Sequence, residues 1–332
     1  MKSKIIYFDK RPVGMPEPDN FRQEEVIIKA PADGELLLKT HYISVDPYLR
    51  GRMREGKSYA KRFNPGEPMR SGVIAEVVES YNPSFSKGDY VNGMLQWAEY
   101  QTSNGEGLLK VDPDVAPLSA YLGILGMPGL TAYLGLMEIG RPQSGETLVV
   151  SGAAGAVGIV AGQIGKILEC QVIGIAGSDE KTEMLKNDFG FDEAINYKTS
   201  SGIRKEIAEK YPSGVDIYFD NVGGEISDSV ILNINRFARV IICGAISQYN
   251  ETRMPTGPRL QSVLLVNSAL MKGFLVNDYA EKFPHALGQL THWLLEGKIK
   301  NQETIIEGLG RTPEAFIGLF NGTNKGKMVV KV

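Results

Sequence analysis

The hydrophobic positions change rhythm near Ala120. Before it, short apolar runs alternate with turn signals. Residues 24–29, 34–42, 72–80 and 89–99 are predicted strands, separated by Pro31-Ala32-Asp33-Gly34, Asn64-Pro65-Gly66 and Ser86-Lys87-Gly88-Asp89. Many short strands with such punctuation predict a compact β-barrel-type domain.

From about Gly145 the pattern alternates strand and helix. Strands are predicted at 147–151, 171–176, 193–197, 215–220 and 239–243, with helices at 156–168, 180–189, 203–211 and 226–234 between them. Such alternation means an α/β domain whose parallel sheet is joined by right-handed crossovers. A helix at 260–269 and a strand at 271–276 extend it, and a last helix at 283–296 closes at Gly297. The tail ends in Lys327-Met328-Val329-Val330-Lys331-Val332, a strand pattern expected to return to the first domain. The expected division is therefore residues 1–122 and 302–332 around an inserted domain at 123–301.

Bulk properties narrow the field. A chain of 332 residues exceeds one ordinary core. With 42% hydrophobic and 23% charged residues it is globular in composition. A net charge of -3, with no block of like charges, points away from nucleic-acid and membrane-surface partners. The first nine residues hold no signal-like apolar run, and other apolar stretches break before the length of a membrane span, so a cytoplasmic location is expected. Cys170 and Cys243 fit a reducing compartment and are too few for a structural zinc cluster. His41, His285 and His292 read as structural or surface residues, so no metal is expected.

The sharpest motif is Val149-Val150-Ser151-Gly152-Ala153-Ala154-Gly155-Ala156-Val157-Gly158. A strand runs into a glycine turn and then a helix. Gly152 serves the tight turn, Gly155 leaves room for a pyrophosphate, and Gly158 lets helix and strand pack closely. The first helical amides and the positive end of the helix dipole face the phosphates. Taken alone, a glycine triplet is also compatible with a plain strand–helix turn; here it stands in a βαβ unit, the context that dinucleotide binding requires.

The tip of the second strand, Ile175-Ala176-Gly177-Ser178, carries no carboxylate. NAD enzymes usually place an acid there for the ribose 2′-hydroxyl. Its absence favours NADP, with Lys181 as counter-charge to the 2′-phosphate; the plainer alternative is an exposed helix lysine. Asp179 is read as a helix-start residue stabilised by the dipole and turned away from the phosphate.

Several long segments resemble one family. They include Ser44-Val45-Asp46-Pro47-Tyr48-Leu49-Arg50, Gly126-Met127-Pro128-Gly129-Leu130-Thr131-Ala132-Tyr133, the glycine turn, Gly177-Ser178-Asp179-Glu180-Lys181, Asn196-Tyr197-Lys198, Tyr218-Phe219-Asp220-Asn221-Val222-Gly223-Gly224 and Cys243-Gly244-Ala245-Ile246-Ser247-Gln248-Tyr249-Asn250. The chain resembles the zinc-free medium-chain dehydrogenase/reductases, within them the group of prostaglandin reductases, leukotriene 12-hydroxydehydrogenases, and curcumin and alkenal double-bond reductases. The resemblance implies a GroES-like catalytic domain, a Rossmann domain and NADPH in the cleft between them. It implies cofactor contacts at Met127, at Gly155, Ala156, Val157 and Gly158, at Lys181, Tyr197 and Asn221, at Cys243, Gly244, Ala245, Ile246, Ser247 and Tyr249, at Phe274, Leu275 and Val276, and at Asn324. Where the zinc-dependent branch has an early cysteine and a Gly-His-Glu motif, this chain reads Ser44-Val45-Asp46 and Ser71-Gly72-Val73-Ile74-Ala75-Glu76. That removes the Lewis acid of alcohol dehydrogenation.

The expected reaction is NADPH-dependent reduction of the carbon–carbon double bond of an α,β-unsaturated aldehyde or ketone. Hydride goes to the β-carbon, negative charge grows on the carbonyl oxygen, and a proton reaches the α-carbon. Tyr249, in a loop after a Rossmann strand, is the first candidate donor, since a phenol with pKa ~10 is protonated at neutral pH; a cofactor hydroxyl as donor, or a purely binding or packing tyrosine, is the alternative. Tyr48 lines the substrate mouth or is a buried barrel tyrosine. Met127, Pro128 and Gly129 set backbone beside the nicotinamide or form a domain-junction turn. Cys243 reads as a small apolar residue, with no histidine near it in sequence to make it a nucleophile. A quinone reductase and a non-catalytic NADPH sensor are the rival functions. The family likeness suggests a homodimer, joined where strand 271–276 lies at a sheet edge.

Overall fold

The computed structural model describes residues 1–56 and 60–332. The chain divides into two compact units, one of residues 1–122, 303–323 and 328–332, the other of residues 123–302 and 324–327.

The first unit begins with β1 (Lys2–Phe8) and β2 (Phe21–Ile27), an antiparallel pair in which Phe8 faces Phe21. Then come β3 (Leu36–Ser44), the short helix α1 (Leu49–Arg52), β4 (Arg70–Ser80), β5 (Tyr90–Gln96), β6 (Tyr100–Ser103) and β7 (Leu109–Val111). In β3, Leu36, Leu38 and Thr40 turn inward while Lys39 faces solvent, the period-2 alternation of a half-buried strand. The core gathers Phe8, Leu38, Ile43, Val73, Trp97 and Phe316. The buried Trp97 indole donates to Ser71 Oγ at 2.7 Å, and that hydroxyl donates to the Ser44 carbonyl at 2.6 Å. No polar atom of this relay is left unsatisfied.

The second unit opens with α2 (Met127–Leu134), which continues into a π-helical turn, Gly135–Gly140. Strand and helix then alternate: β8 (Thr147–Ser151), α3 (Ala156–Ile167), β9 (Gln171–Ala176), α4 (Asp179–Phe189), β10 (Glu193–Asn196), α5 (Ile203–Lys210), β11 (Val215–Asp220), α6 (Gly224–Ile231), β12 (Ile234–Ile242), α7 (Gln261–Val266), β13 (Leu270–Gly273) and α8 (Phe283–Leu295). The six strands form one parallel sheet in the order β10-β9-β8-β11-β12-β13. This is the doubly wound Rossmann arrangement, with the strand order reversing between β8 and β11. All of β8 is buried, as a central parallel strand covered on both faces must be.

Several boundaries differ from the sequence expectation, among them that of the helix expected at 260–269, which spans Gln261–Val266. The helix expected to reach residue 234 stops at Ile231, because Ile234 already pairs with Val215 and opens β12. Strand β12 is correspondingly longer than 239–243; Phe237, at φ 66, lies within it. Strand β13 ends at Gly273, and from Val276 the chain makes a 3-10 turn instead of continuing the edge strand.

The chain closes with β14 (Glu303–Glu307), α9 (Thr312–Phe320) and β15 (Lys327–Lys331). Strand β15 pairs antiparallel with β3, Val329 opposite Ser44, inside a sheet ordered β14-β15-β3-β4-β5-β7, with β6 also on β3. Just before it, Gly326 donates its amide to the Ala154 carbonyl at 2.8 Å, which attaches residues 324–327 to the second unit. Among the described residues, no helix is long and apolar enough to cross a membrane.

Candidate cofactor site

The carboxyl ends of β8, β9, β11 and β12 gather most of the expected binding residues. After Ser151 the chain turns at Gly152, whose φ of 57 lies in the left-handed region, and Gly155 takes the N-cap of α3 without any side-chain cap. The amides of the first helical turn, Ala156, Val157 and Gly158, have no intrahelical acceptor. A Cβ on Gly158 would come within 2.4 Å of the Gly152 carbonyl oxygen and 2.7 Å of Ala153 Cα. Only glycine permits so close a seat of helix on turn. The result is an uncapped, side-chain-free helix end that fits a pyrophosphate.

At the tip of β9, Ser178 N-caps α4, its hydroxyl accepting from the Lys181 amide at 3.3 Å. Asp179 accepts a hydrogen bond from Asn196 Nδ2 at 2.7 Å, so its carboxylate is tied to the end of β10. Burial holds the Lys181 ammonium below the ordinary lysine pKa, and the neighbouring positive charges of Lys198 and Lys325 lower it further, with Glu180 opposing. Lys325 arrives on the C-terminal segment and contacts Glu180. Three lysines from three segments thus converge here, and a cluster of like charges is the arrangement that a bound dianion relieves. Tyr197, 43% exposed, stands against Gly177. Sequence reasoning picked out Lys181 and Tyr197 but missed Lys198 and Lys325. Lys198 was visible as the next residue after Tyr197; nothing local marks Lys325.

At the end of β11, Asn221 donates its side-chain amide to the Ser151 carbonyl at 2.8 Å and its main-chain amide to Ser151 Oγ at 3.0 Å. The amides of Cys243 and Gly244 donate to the Asp220 carbonyl at 2.9 and 3.1 Å. Ile246 donates to the Asn221 carbonyl, and Ser247 to the Val222 carbonyl through both its amide and its hydroxyl. A 3-10 turn, Ile246–Gln248, then brings the Tyr249 hydroxyl back to accept from the Ala245 amide at 3.3 Å. Desolvation pushes the Tyr249 phenol above its ordinary value; Cys243 and Asp220 push the same way, and the Ala245 amide opposes. Cys243 keeps part of its surface exposed, yet its thiol is desolvated and pushed up to about 12, which makes it a poor nucleophile.

The remaining expected residues stand on other segments. Met127 and Pro128 open α2, and Gly129 is held so near the Ile124 carbonyl that a Cβ would lie 1.8 Å from its oxygen. This segment is a helix start with its own packing constraint. Phe274 packs edge-on against Tyr279 with ring centroids 6.3 Å apart, Leu275 is partly exposed, and Val276 starts a 3-10 turn. Asn324 donates to the Gly326 carbonyl at 2.8 Å within the segment attached to the glycine turn. Tyr48, in the first unit, precedes α1 and packs partly buried against that unit's core. Among the described residues no group of three His, Cys, Asp or Glu side chains is placed to hold a metal ion.

Comparison with known proteins gives this geometry a lineage. Residues 4–111 match the family described as the N-terminal domain of oxidoreductase, and residues 156–292 the family described as zinc-binding dehydrogenase. The chain is 53% identical over 329 residues to the putative NADP-dependent oxidoreductase YfmJ of Bacillus subtilis (strain 168), covering 98% of this chain and 97% of that one. It is 41% identical over 338 residues to a 2-alkenal reductase (NADP(+)-dependent) of Nicotiana tabacum, covering 100% of this chain and 98% of that one. The crystal structure of CurA in complex with NADPH from Vibrio vulnificus superposes with a TM-score of 0.94 at 43% identity, covering 99% of each chain. The chain belongs to the medium-chain dehydrogenase/reductases, in the group that holds the prostaglandin, curcumin and alkenal double-bond reductases.

Proposed function

We propose that this protein uses NADPH to reduce the carbon–carbon double bond of α,β-unsaturated aldehydes and ketones. The observation that carries the cofactor half is the convergence of Lys181, Lys198 and Lys325 beside a β9 tip that ends in Gly177 and Ser178 instead of a carboxylate. The substrate half draws on the relatives, whose names include a 2-alkenal reductase and an NADPH-dependent curcumin reductase.

In this reading the amides at Ala156, Val157 and Gly158 hold the pyrophosphate, the three lysines and Tyr197 hold the 2′-phosphate end, and Asn221 holds a ribose. The reduced nicotinamide, when bound, supplies the hydride that the double bond accepts. Tyr249 then donates a hydrogen bond to the carbonyl oxygen on which charge develops; its raised pKa keeps it protonated for that task. Met127, residues 243–247, residues 274–276 and Asn324 complete the cofactor contacts. The protein acts as a homodimer, with β13 at the sheet edge pairing with its twin; Leu265, Val266 and Leu270 are the exposed apolar residues around that edge.

The test is steady-state oxidation of NADPH by the purified protein with a medium-chain 2-alkenal, an enone and a quinone. Turnover of alkenal or enone, with NADH at least ~10-fold less effective, is expected from the phosphate argument. Equal rates with both cofactors reject it, and turnover confined to quinones replaces the substrate class. A monomer on a sizing column rejects the dimer.

A further inference from the structure

One buried carboxylate in the second unit has no part in the chemistry above. Asp220, 2% exposed, ends β11. A single oxygen, Oδ1, accepts four hydrogen bonds, each 2.9 Å long: from Ser151 Oγ, from Tyr218 OH, and from the amides of Val222 and Gly223. Ser151 and Tyr218 are themselves fully buried. All four of these donors are neutral groups.

The donors come from separate parts of the site. Ser151 stands immediately before the glycine turn, and its hydroxyl, while donating to Asp220, accepts the amide of Asn221. Val222 and Gly223 form the turn into α6. The main-chain carbonyl of Asp220 accepts the amides of Cys243 and Gly244 at the root of the Tyr249 loop. The carboxylate therefore joins the strand end before the glycine turn to the turn into α6, and the main-chain carbonyl of the same residue reaches the third segment. Charge-assisted hydrogen bonds are the strong kind, and a buried carboxylate loses heavily if its donors move. That makes the arrangement stiff.

We infer that Asp220, through its carboxylate, is the positioning residue of the cofactor site, fixing the glycine turn and the Asn221 turn in one rigid cradle. The inference rests on the NADPH reading. Because the cradle serves the parts common to NADPH and NADH, Asp220 governs affinity for both, whereas Lys181 governs the choice between them.

Two variants test this. Asp220→Asn keeps the shape and one acceptor oxygen but removes the charge; Tyr218→Phe removes one of the four donors and keeps the ring in the core. Dissociation constants for NADPH and NADH are measured well below the melting temperature of each folded variant, with Lys181→Ala alongside. Asp220→Asn is expected to weaken both cofactors by the same factor, about 10-fold, with kcat at saturating cofactor within about 3-fold of wild type. Tyr218→Phe is expected to follow the same pattern at about 3-fold, and it decides the matter if Asp220→Asn does not fold. Lys181→Ala is expected to weaken NADPH alone. Wild-type affinities in a variant whose only change is a lower melting temperature would overturn the positioning role, since a purely structural residue behaves that way. A changed NADPH-to-NADH ratio in Asp220→Asn would also overturn it. Failure of the NADPH reading itself shows up elsewhere, in wild-type protein that binds neither cofactor, and the positioning role falls with it.

Discussion

Tyr197 closes over Gly177: a Cβ built on the glycine would lie 3.0 Å from both the tyrosine hydroxyl oxygen and its ring carbon Cε1. The tip of β9 has no room for a side chain while Tyr197 keeps its place. Gly177→Asp therefore displaces the tyrosine and adds a negative charge next to the N-cap of the helix carrying Lys181. NADPH affinity is expected to fall at least ~10-fold, with a smaller loss for NADH. Fluorescence titration with both cofactors checks this, and an unchanged NADPH constant contradicts the placement of the phosphate.

The lowered pKa of Lys181 has two consequences of opposite sign. Between that lowered value and the ordinary 10.5, the unfolded chain binds more protons than the folded one, so this lysine makes the apo fold gain stability as pH rises through the window. NADPH affinity falls over the same rise, because the lysine loses its charge. A bound phosphate favours the ammonium form and raises its pKa, so binding in that window takes up a proton. Calorimetric titration in two buffers of different ionisation heat reads the uptake directly. Its persistence in Lys181→Met would assign it to another group.

Tyr249→Phe separates donation from binding. If the phenol donates as charge develops on the substrate oxygen, kcat drops at least ~10-fold while the NADPH constant stays near wild type. The wild-type rate should also hold past pH 10 and decline only as pH passes the raised phenol value; that alkaline limb should vanish in the variant. A change limited to NADPH affinity would reduce Tyr249 to a fastening of its own loop.

Two glycines of the same turn should fail differently. In Gly158→Ala the new methyl meets main-chain atoms at 2.4 and 2.7 Å, which cannot swing aside, and a cost of about 1–3 kcal/mol in folding is expected. In Gly155→Ala the backbone is at an ordinary φ of -90 and the nearest contact is 3.2 Å, so melting is little changed while NADPH binding weakens. Thermal melts with and without NADPH distinguish the two. Equal losses of stability would contradict this division of labour.

The Rossmann unit was readable because its central strands are buried on both faces. Residues 147–151, 171–176 and 215–220 stand out as largely apolar runs, and these bounds are the ones observed. The short strands β1, β6, β7 and β14 were not read; β6 is completed by β3, a strand distant in sequence, with Lys39 opposite Tyr100. In β1 the inward position of Ser3 hides the alternation; its hydroxyl is satisfied by the Tyr100 carbonyl, an acceptor 97 residues away. The same distance problem conceals part of the site. The glycine turn is one contiguous motif, but Asp220 meets Ser151 across 69 residues and Lys325 meets Glu180 across 145. A charged residue closing the apolar run Ile217-Tyr218-Phe219 was the one visible hint of the Asp220 hub.

The order in which the chain is synthesised matters to loading. Residues 324–327 carry Lys325 and the Gly326 amide to the nucleotide unit, and β15 follows at once as an internal strand of the other sheet. On the proposed reading of the site, a ribosome-bound nascent chain can thus build every Rossmann strand and still lack a finished grip on the dinucleotide. Capture of the coenzyme becomes a late event, coupled to the same few residues that complete the first sheet, so a chain truncated ahead of them should lose both together.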